Sequence, residues 1–191
     1  MPRPVTVATT LSCMARQPRL TQPPGLFHVT SRGNDRQLLF RCDQDHQVFY
    51  RLLQDSCPPR DVHVLSHCLM DNHFHLLVEA GVSQLSRGMQ RLKSGYATYV
   101  NTVYRRTGHV FERRFHSVPV LDDRQLAAVV RYIARNPVRA GLCDRPEHWR
   151  WSSAGAMARG DASPSAQIDV VAHSRLTALL GRVPATLWGD E

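Results

Sequence analysis

Residues 62–79 constrain this chain most. Two β-rich runs, 62–70 and 73–79, are separated only by Asp71-Asn72. That pair suits a tight turn, so an antiparallel hairpin is expected there. At a period of two, His73, His75 and Leu77 share one face of the second strand, and Phe74, Leu76 and Val78 share the other. Segment 26–31 (Leu-Phe-His-Val-Thr-Ser) reads as a further short strand, with 32–36 as its turn. Asp43 or Asp45 caps a helix running to about Cys57, with Phe49, Leu52 and Leu53 facing inward and Pro58-Pro59 as its stop. Ser83 caps a long helix to about Thr107, ended by Gly108. A basic connection, 105–117, leads into a strand ending near Leu121. Asp122 and Asp123 then start a helix that Pro137 terminates. The order strand, helix, strand, strand, helix, strand, helix implies an antiparallel α+β sheet with helices packed mainly on one face.

The chain's 191 residues are expected to form one domain with extensions. Residues 1–24 hold five of the twelve prolines and no apolar periodicity, and read as a flexible N-terminal arm. The folded domain spans 25–158. Residues 159–191 read as a small, polar linker followed by a helical tail near 168–180. No apolar run is long enough to cross a membrane, and no signal peptide is visible, which points to the cytoplasm. Five cysteines, without a C-x-x-C pair, suit free thiols in a reducing compartment.

The net charge of +8 is almost wholly arginine, Lys93 being the one lysine. Arginine suits bidentate phosphate contacts and stacking on bases, so nucleic acid ranks ahead of an anionic membrane as partner. The excess concentrates in 83–117, where Arg87, Arg91, Lys93, Arg105, Arg106, Arg113 and Arg114 face Glu112 alone. Arg105, Arg106, Arg113 and Arg114 are interleaved with Tyr104, Phe111 and Phe115. Arg32, Asn34 and Arg36 sit just after the first strand, where a loop can read unpaired bases.

His73 and His75 on one strand face form half of a metal site, although ten histidines make a chance H-x-H pattern easy. His67 and His63 read as packed or surface histidines. Among the tyrosines, Tyr96 and Tyr99 fall on the long helix's apolar stripe and read as core. Tyr104 lies off that stripe, stacking on a base or facing water. Tyr132 flanks the stripe of Leu126, Val129, Val130 and Ile133, and Asn136 follows one turn later, so both side chains can point at one spot. A tyrosine at a stripe edge also commonly packs its ring and wets its hydroxyl, and an Asn before Pro often just ends a helix. Both readings stand on the residues alone.

Four motifs taken in order resemble the REP-associated tyrosine transposases, bacterial relatives of the single-tyrosine transposases in the His-hydrophobic-His endonuclease superfamily. They are Thr30-Ser31-Arg32-Gly33-Asn34, the run Met70 to Val78, the Arg106-Thr107-Gly108…Phe111…Arg114-Phe115 stretch, and Tyr132-Ile133…Asn136-Pro137-Val138-Arg139-Ala140-Gly141, with Trp151-Ser152-Ser153 after them. The resemblance implies a ferredoxin-like sheet with the catalytic tyrosine on a helix. It implies Tyr132 as nucleophile and His73, His75 and Asn136 as ligands of a divalent cation, Mg2+ or Mn2+, with manganese favoured by imidazole. The implied substrate is single-stranded DNA beside a palindromic hairpin, cut through a 5′-phosphotyrosine by a nucleoid-associated protein acting as monomer or homodimer. Asp71 stands where the family often carries Pro. Two alternatives remain: a catalytically inactive DNA-binding protein recognising palindromic repeats, and a zinc hydrolase using Cys68, His73 and His75, for which no Glu base stands at a recognisable spacing.

Overall fold

A computed structural model describes residues 25–57, 59, 61–159 and 178. The arm expected over 1–24 and nearly all of the tail expected over 159–191 lie outside the described residues. Within them, the chain runs β1 (Gly25–Arg32), α1 (Asp43–Ser56), β2 (His63–Met70), β3 (His73–Ala80), α2 (Val82–Val103), β4 (His116–Val120), α3 (Asp123–Arg139) and α4 (Ser153–Arg159), with short 3-10 turns at Asn34–Arg36 and Pro146–His148. The four strands form one antiparallel sheet in the order β2-β3-β1-β4. This is the expected α+β arrangement.

Strand alternation divides the core in two. Phe27 and Val29 of β1 and Phe74, Leu76 and Val78 of β3 point toward α1 and α2 and join the larger cluster with Phe49, Leu53, Leu92 and Tyr96. Leu65, Leu77 and Val120 point the other way and pack under Leu126, Val130 and Ile133 of α3. Two helices therefore cover one face, while α3 alone lies over the other. The free edge of β2 is closed by the segment entering α4. Leu69 N–H donates to Trp151 O at 2.9 Å, and Trp149 Nε1 donates to Leu69 O at 2.9 Å. Buried His67, held by Tyr50 Oη and Ser153 Oγ at 2.9 Å each, pins α4 to the sheet.

Several expectations from the sequence are corrected. Gly81, not Ser83, stands at the N-cap of α2. That helix ends at Val103 and not near Thr107, because Arg105 adopts a left-handed φ of 49°. Tyr104 neither stacks outward nor faces water freely. Its hydroxyl donates to buried Asp45 at 2.7 Å, as Tyr99 does at 2.8 Å. Pro137 does not terminate α3 but sits inside its last turn, where it forfeits one N–H donor and the helix still runs on to Arg139. The true end is a Schellman motif. Gly141, at φ 69°, donates to Val138 O at 3.0 Å, and Leu142 donates to Pro137 O at 2.9 Å. Helix α4 itself was not expected from the sequence.

Candidate active site

The site begins where the α3 face of the sheet stops being apolar. On β3, Leu77 is buried under α3, and the next residues on that face are His75 and His73. On β1, His28 pairs with Leu77 and Thr30 with His75, so His28 lies diagonally beside His75 on the same face. The two rings stack at 5.3 Å, and His28 Nε2 lies 3.0 Å from His75 Nδ1. Helix α3 crosses above. The Tyr132 ring meets His75 edge-on at 5.4 Å and His28 at 5.8 Å, and its side of the helix is open to solvent, 41% exposed. One turn on, the Asn136 side chain is hydrogen-bonded to the His73 ring. The structure thus gathers His73, His75, Tyr132 and Asn136 at one end of one sheet face.

Ring-nitrogen bookkeeping decides what these imidazoles can do. His73 Nδ1 is 2.7 Å from Asn72 Oδ1, an acceptor, so Nδ1 carries the proton and Nε2 keeps a lone pair. His75 Nε2 is buried and has no hydrogen-bond partner in the fold. If that nitrogen bore the proton, a buried donor would be wasted. If His75 Nδ1–H donates to His28 Nε2 instead, His75 Nε2 becomes a second lone pair. Burial, then the neighbouring His73, His28 and Arg32, lowers the His75 pKa to about 3. Burial and then Arg32 lower that of His73, with opposing contributions from Asn136 and Asp71. Burial and then His116 lower that of His28. The rings are therefore neutral near pH 7, as metal ligands must be.

These residues fit a divalent cation: two lone-pair nitrogens whose other nitrogens are engaged by orienting partners, plus a neutral carboxamide. Among the described residues, no group of three His, Cys, Asp or Glu side chains forms a metal site, so the set depends on Asn136. Cys68 lies opposite His75 in the register, but burial raises its thiol pKa far above the ordinary value, and its Sγ contacts Met70 Sδ at 3.6 Å. A zinc thiolate there is disfavoured.

The cleft over the site has a volume of about 730 Å3, and Arg32, Arg113, Arg114 and His116 line it with the histidines and Tyr132. Asn34 does not line it, and its backbone N–H donates to Val110 O at 2.9 Å. Arg36, Arg105 and Arg106 do not line the cleft, and Arg106 is hydrogen-bonded to Gln37. A Cβ on Gly33 would sit 2.2 Å from Gln37 O, so glycine is needed for the loop after Arg32 to fold back. His28, Asn72 and His116 were missed in the sequence. The alternation Leu26, His28, Thr30 placed His28 on a definite face, but only the pairing with β3 shows which residue it meets.

Sheet order and helix placement are those of the tyrosine transposase fold. Residues 25–136 match the family described as IS200-like transposases, and the chain belongs to that family. A protein of Haemophilus influenzae (strain KW20 / Rd) assigned as a REP-associated tyrosine transposase is 24% identical over 141 residues, covering 68% of this chain and 79% of its own length. The solved structure of a REP-associated tyrosine transposase bound to a REP hairpin superposes with a TM-score of 0.64, covering 77% of this chain and 87% of that one at 18% identity. That second likeness speaks to the fold. No helix among the described residues is long and apolar enough to cross a membrane.

Proposed function

We propose that this transposase nicks and rejoins single-stranded DNA beside a palindromic hairpin, with Tyr132 as nucleophile, His73, His75 and Asn136 as the cation-holding set, and residues 25–158 as the catalytic unit. The observation that carries the reading is the orphaned, buried Nε2 of His75 beside an exposed tyrosine ring.

The chain's own residues divide the work. Asn72 and His28 fix the ring orientation and tautomer of His73 and His75, so that each Nε2 keeps its lone pair, that of His73 beside Asn136. When bound there, Mn2+ or Mg2+ supplies a Lewis acid that polarises the scissile phosphodiester. Arg32 and Arg114 hold flanking phosphates. Arg139, with Cζ 5.7 Å from the Tyr132 ring centroid, steadies the ring from its solvent side. The Tyr132 oxygen forms a bond to phosphorus as the bond to the 3′ oxygen breaks. The phenolic proton is released and the departing oxygen takes one up, giving a 5′-phosphotyrosine and a 3′ hydroxyl. One phosphoester replaces another, so rejoining by the reverse reaction needs no nucleotide.

The test is incubation with labelled hairpin DNA bearing single-stranded flanks, in manganese. The expected result is a denaturation-resistant protein–DNA adduct that Tyr132→Phe abolishes while DNA binding persists. Binding with no adduct across candidate sequences would favour a recognition protein without catalysis.

A further inference from the structure

A second cavity, of about 640 Å3, lies between α2 and the connection to β4, and nothing in the proposed chemistry uses it. Ser86, Gln90, Lys93 and Ala97 form its α2 wall at spacings of four, three and four, one stripe of the helix. The floor is apolar, made by Met89, Val110 and Phe115, all buried, with the half-buried ring of Phe111. Lys93 Nζ sits 4.5 Å over that ring and donates to Arg113 O at 2.6 Å. The rim is thus cationic over an aromatic surface.

The wall opposite α2 is fixed and shared. Glu112, Arg113 and Arg114 line both this cavity and the cleft that holds Tyr132. The wall is tied to the end of β1 by Glu112 N–H donating to Arg32 O at 3.1 Å and by a Gly33–Phe111 bridge. A strand lying in the cleft therefore needs only to cross residues 112–114 to enter the groove.

Charge and shape select the occupant. The rim cations Lys93 and Arg113 suit a phosphate. The exposed Arg113–Glu112 pair at 3.0 Å holds Arg113 only weakly. The apolar floor suits the face of a ring. In a duplex the base faces are covered by their neighbours, whereas an unpaired base offers one to an aromatic floor. We propose that this groove binds an unpaired nucleotide of the same DNA strand that the cleft engages, its phosphate drawing Lys93 off the Phe111 ring toward the rim at Arg113 and its base taking the ring face so uncovered. The inference rests on the cleft being a DNA-processing site, and it names where the flank of the substrate goes.

The experiment reads binding without cutting. Full-length Tyr132→Phe protein, without divalent cation, is mixed with hairpin DNA carrying 5-iodouracil at successive positions of its single-stranded flank, and photocrosslinks are mapped by peptide mass spectrometry. Crosslinks to 108–115 from a narrow window of flank positions are expected. Ser94→Trp, which fills the groove from its exposed rim, and Lys93→Ala should each weaken binding of the flanked hairpin about tenfold, the scale of losing one stacked base. Binding of a blunt hairpin should be unchanged. Crosslinks elsewhere, or equal losses on blunt and flanked DNA, overturn the proposal, the latter because the groove would then be holding the stem. Groove crosslinks in a protein that never forms an adduct would sink the proposed chemistry and leave the groove standing.

Discussion

The two faces of the sheet are made by the same strands from residues one position apart, yet they end differently. Toward α1 and α2 the face is closed along its length: Phe27, Val29, Phe74, Leu76 and Val78 are all at most 2% exposed. Toward α3 the apolar surface stops at Leu77, and His75, His73 and His28 continue it. Ile133, Ala134 and Pro137 of α3 face down and are buried, while Tyr132 stays open at the edge. One helix covers what two helices cover opposite. The proposed site occupies the uncovered remainder, where burial keeps the imidazoles neutral beside an exposed tyrosine.

Neighbouring residues on β3 give the sharpest test of that contrast. Phe74→Ala removes a ring packed on Phe49 at 5.0 Å and should lower unfolding free energy by about 3–5 kcal/mol in urea melts. His75→Ala should abolish adduct formation and manganese binding by calorimetry, yet cost only about 1–2 kcal/mol of stability, the scale of its hydrogen bond. Equal destabilisation by the two would mean that both faces are simply core.

How much of this could be read beforehand follows the range of the interactions. The 62–79 hairpin, the shared face of His73 and His75, and the one-turn spacing of Tyr132 and Asn136 are local periodicities, and they were legible. The meeting of His28 with His75 depends on the pairing of strands far apart in sequence. The Asp45 carboxylate that captures Tyr104 comes from another helix. These two are non-local, and the sequence left them open. The Gly141 cap is local, four residues past Pro137, and was masked by the stronger helix-stop signal of the proline itself.

Acid should strain both faces, by separable amounts. His46, stacked between Phe40 at 4.5 Å and Trp151 at 4.1 Å on the closed face, has its pKa lowered by burial to about 4. His75 is lowered to about 3 on the open face. Unfolded histidine titrates near 6.5, so below that pH the unfolded chain binds more protons than the folded one. Stability contributed by these groups is complete above about pH 6.5 and falls as pH drops toward about 4. His46→Phe, which preserves the stack, should flatten that slope in urea midpoints without changing manganese affinity. A slope untouched by the substitution would place the whole acid sensitivity on the open face.

His28 tests the open face from beneath. His28→Phe keeps a ring against His75 but deletes the acceptor 3.0 Å from its Nδ1. Manganese affinity should fall about 10–100-fold, as for lost orienting partners of metal-bound histidine. His28→Gln, which restores an acceptor, should recover part of the loss. A role confined to packing would give the opposite order.

The smallest effect is expected at the far end of α3. Asp122 Oδ1 accepts from Gln125 N–H at 2.7 Å, and Gln125 Oε1 accepts from Leu121 N–H at 3.1 Å, a reciprocal cap. Asp122→Ala should cost about 1 kcal/mol, read as a lowered thermal midpoint. Tyr132 is ten residues on, roughly 15 Å along the axis at 1.5 Å per residue, and the turn that carries it is held by Val130 and Ile133 below and the Gly141 cap beyond. The adduct-forming rate, measured well below the melting range, should change by less than about threefold, because fraying is confined to a helix's first turn. A collapse of that rate would mean that the far cap, and not the packing on Leu77 and Val120, sets where the tyrosine stands over the histidines.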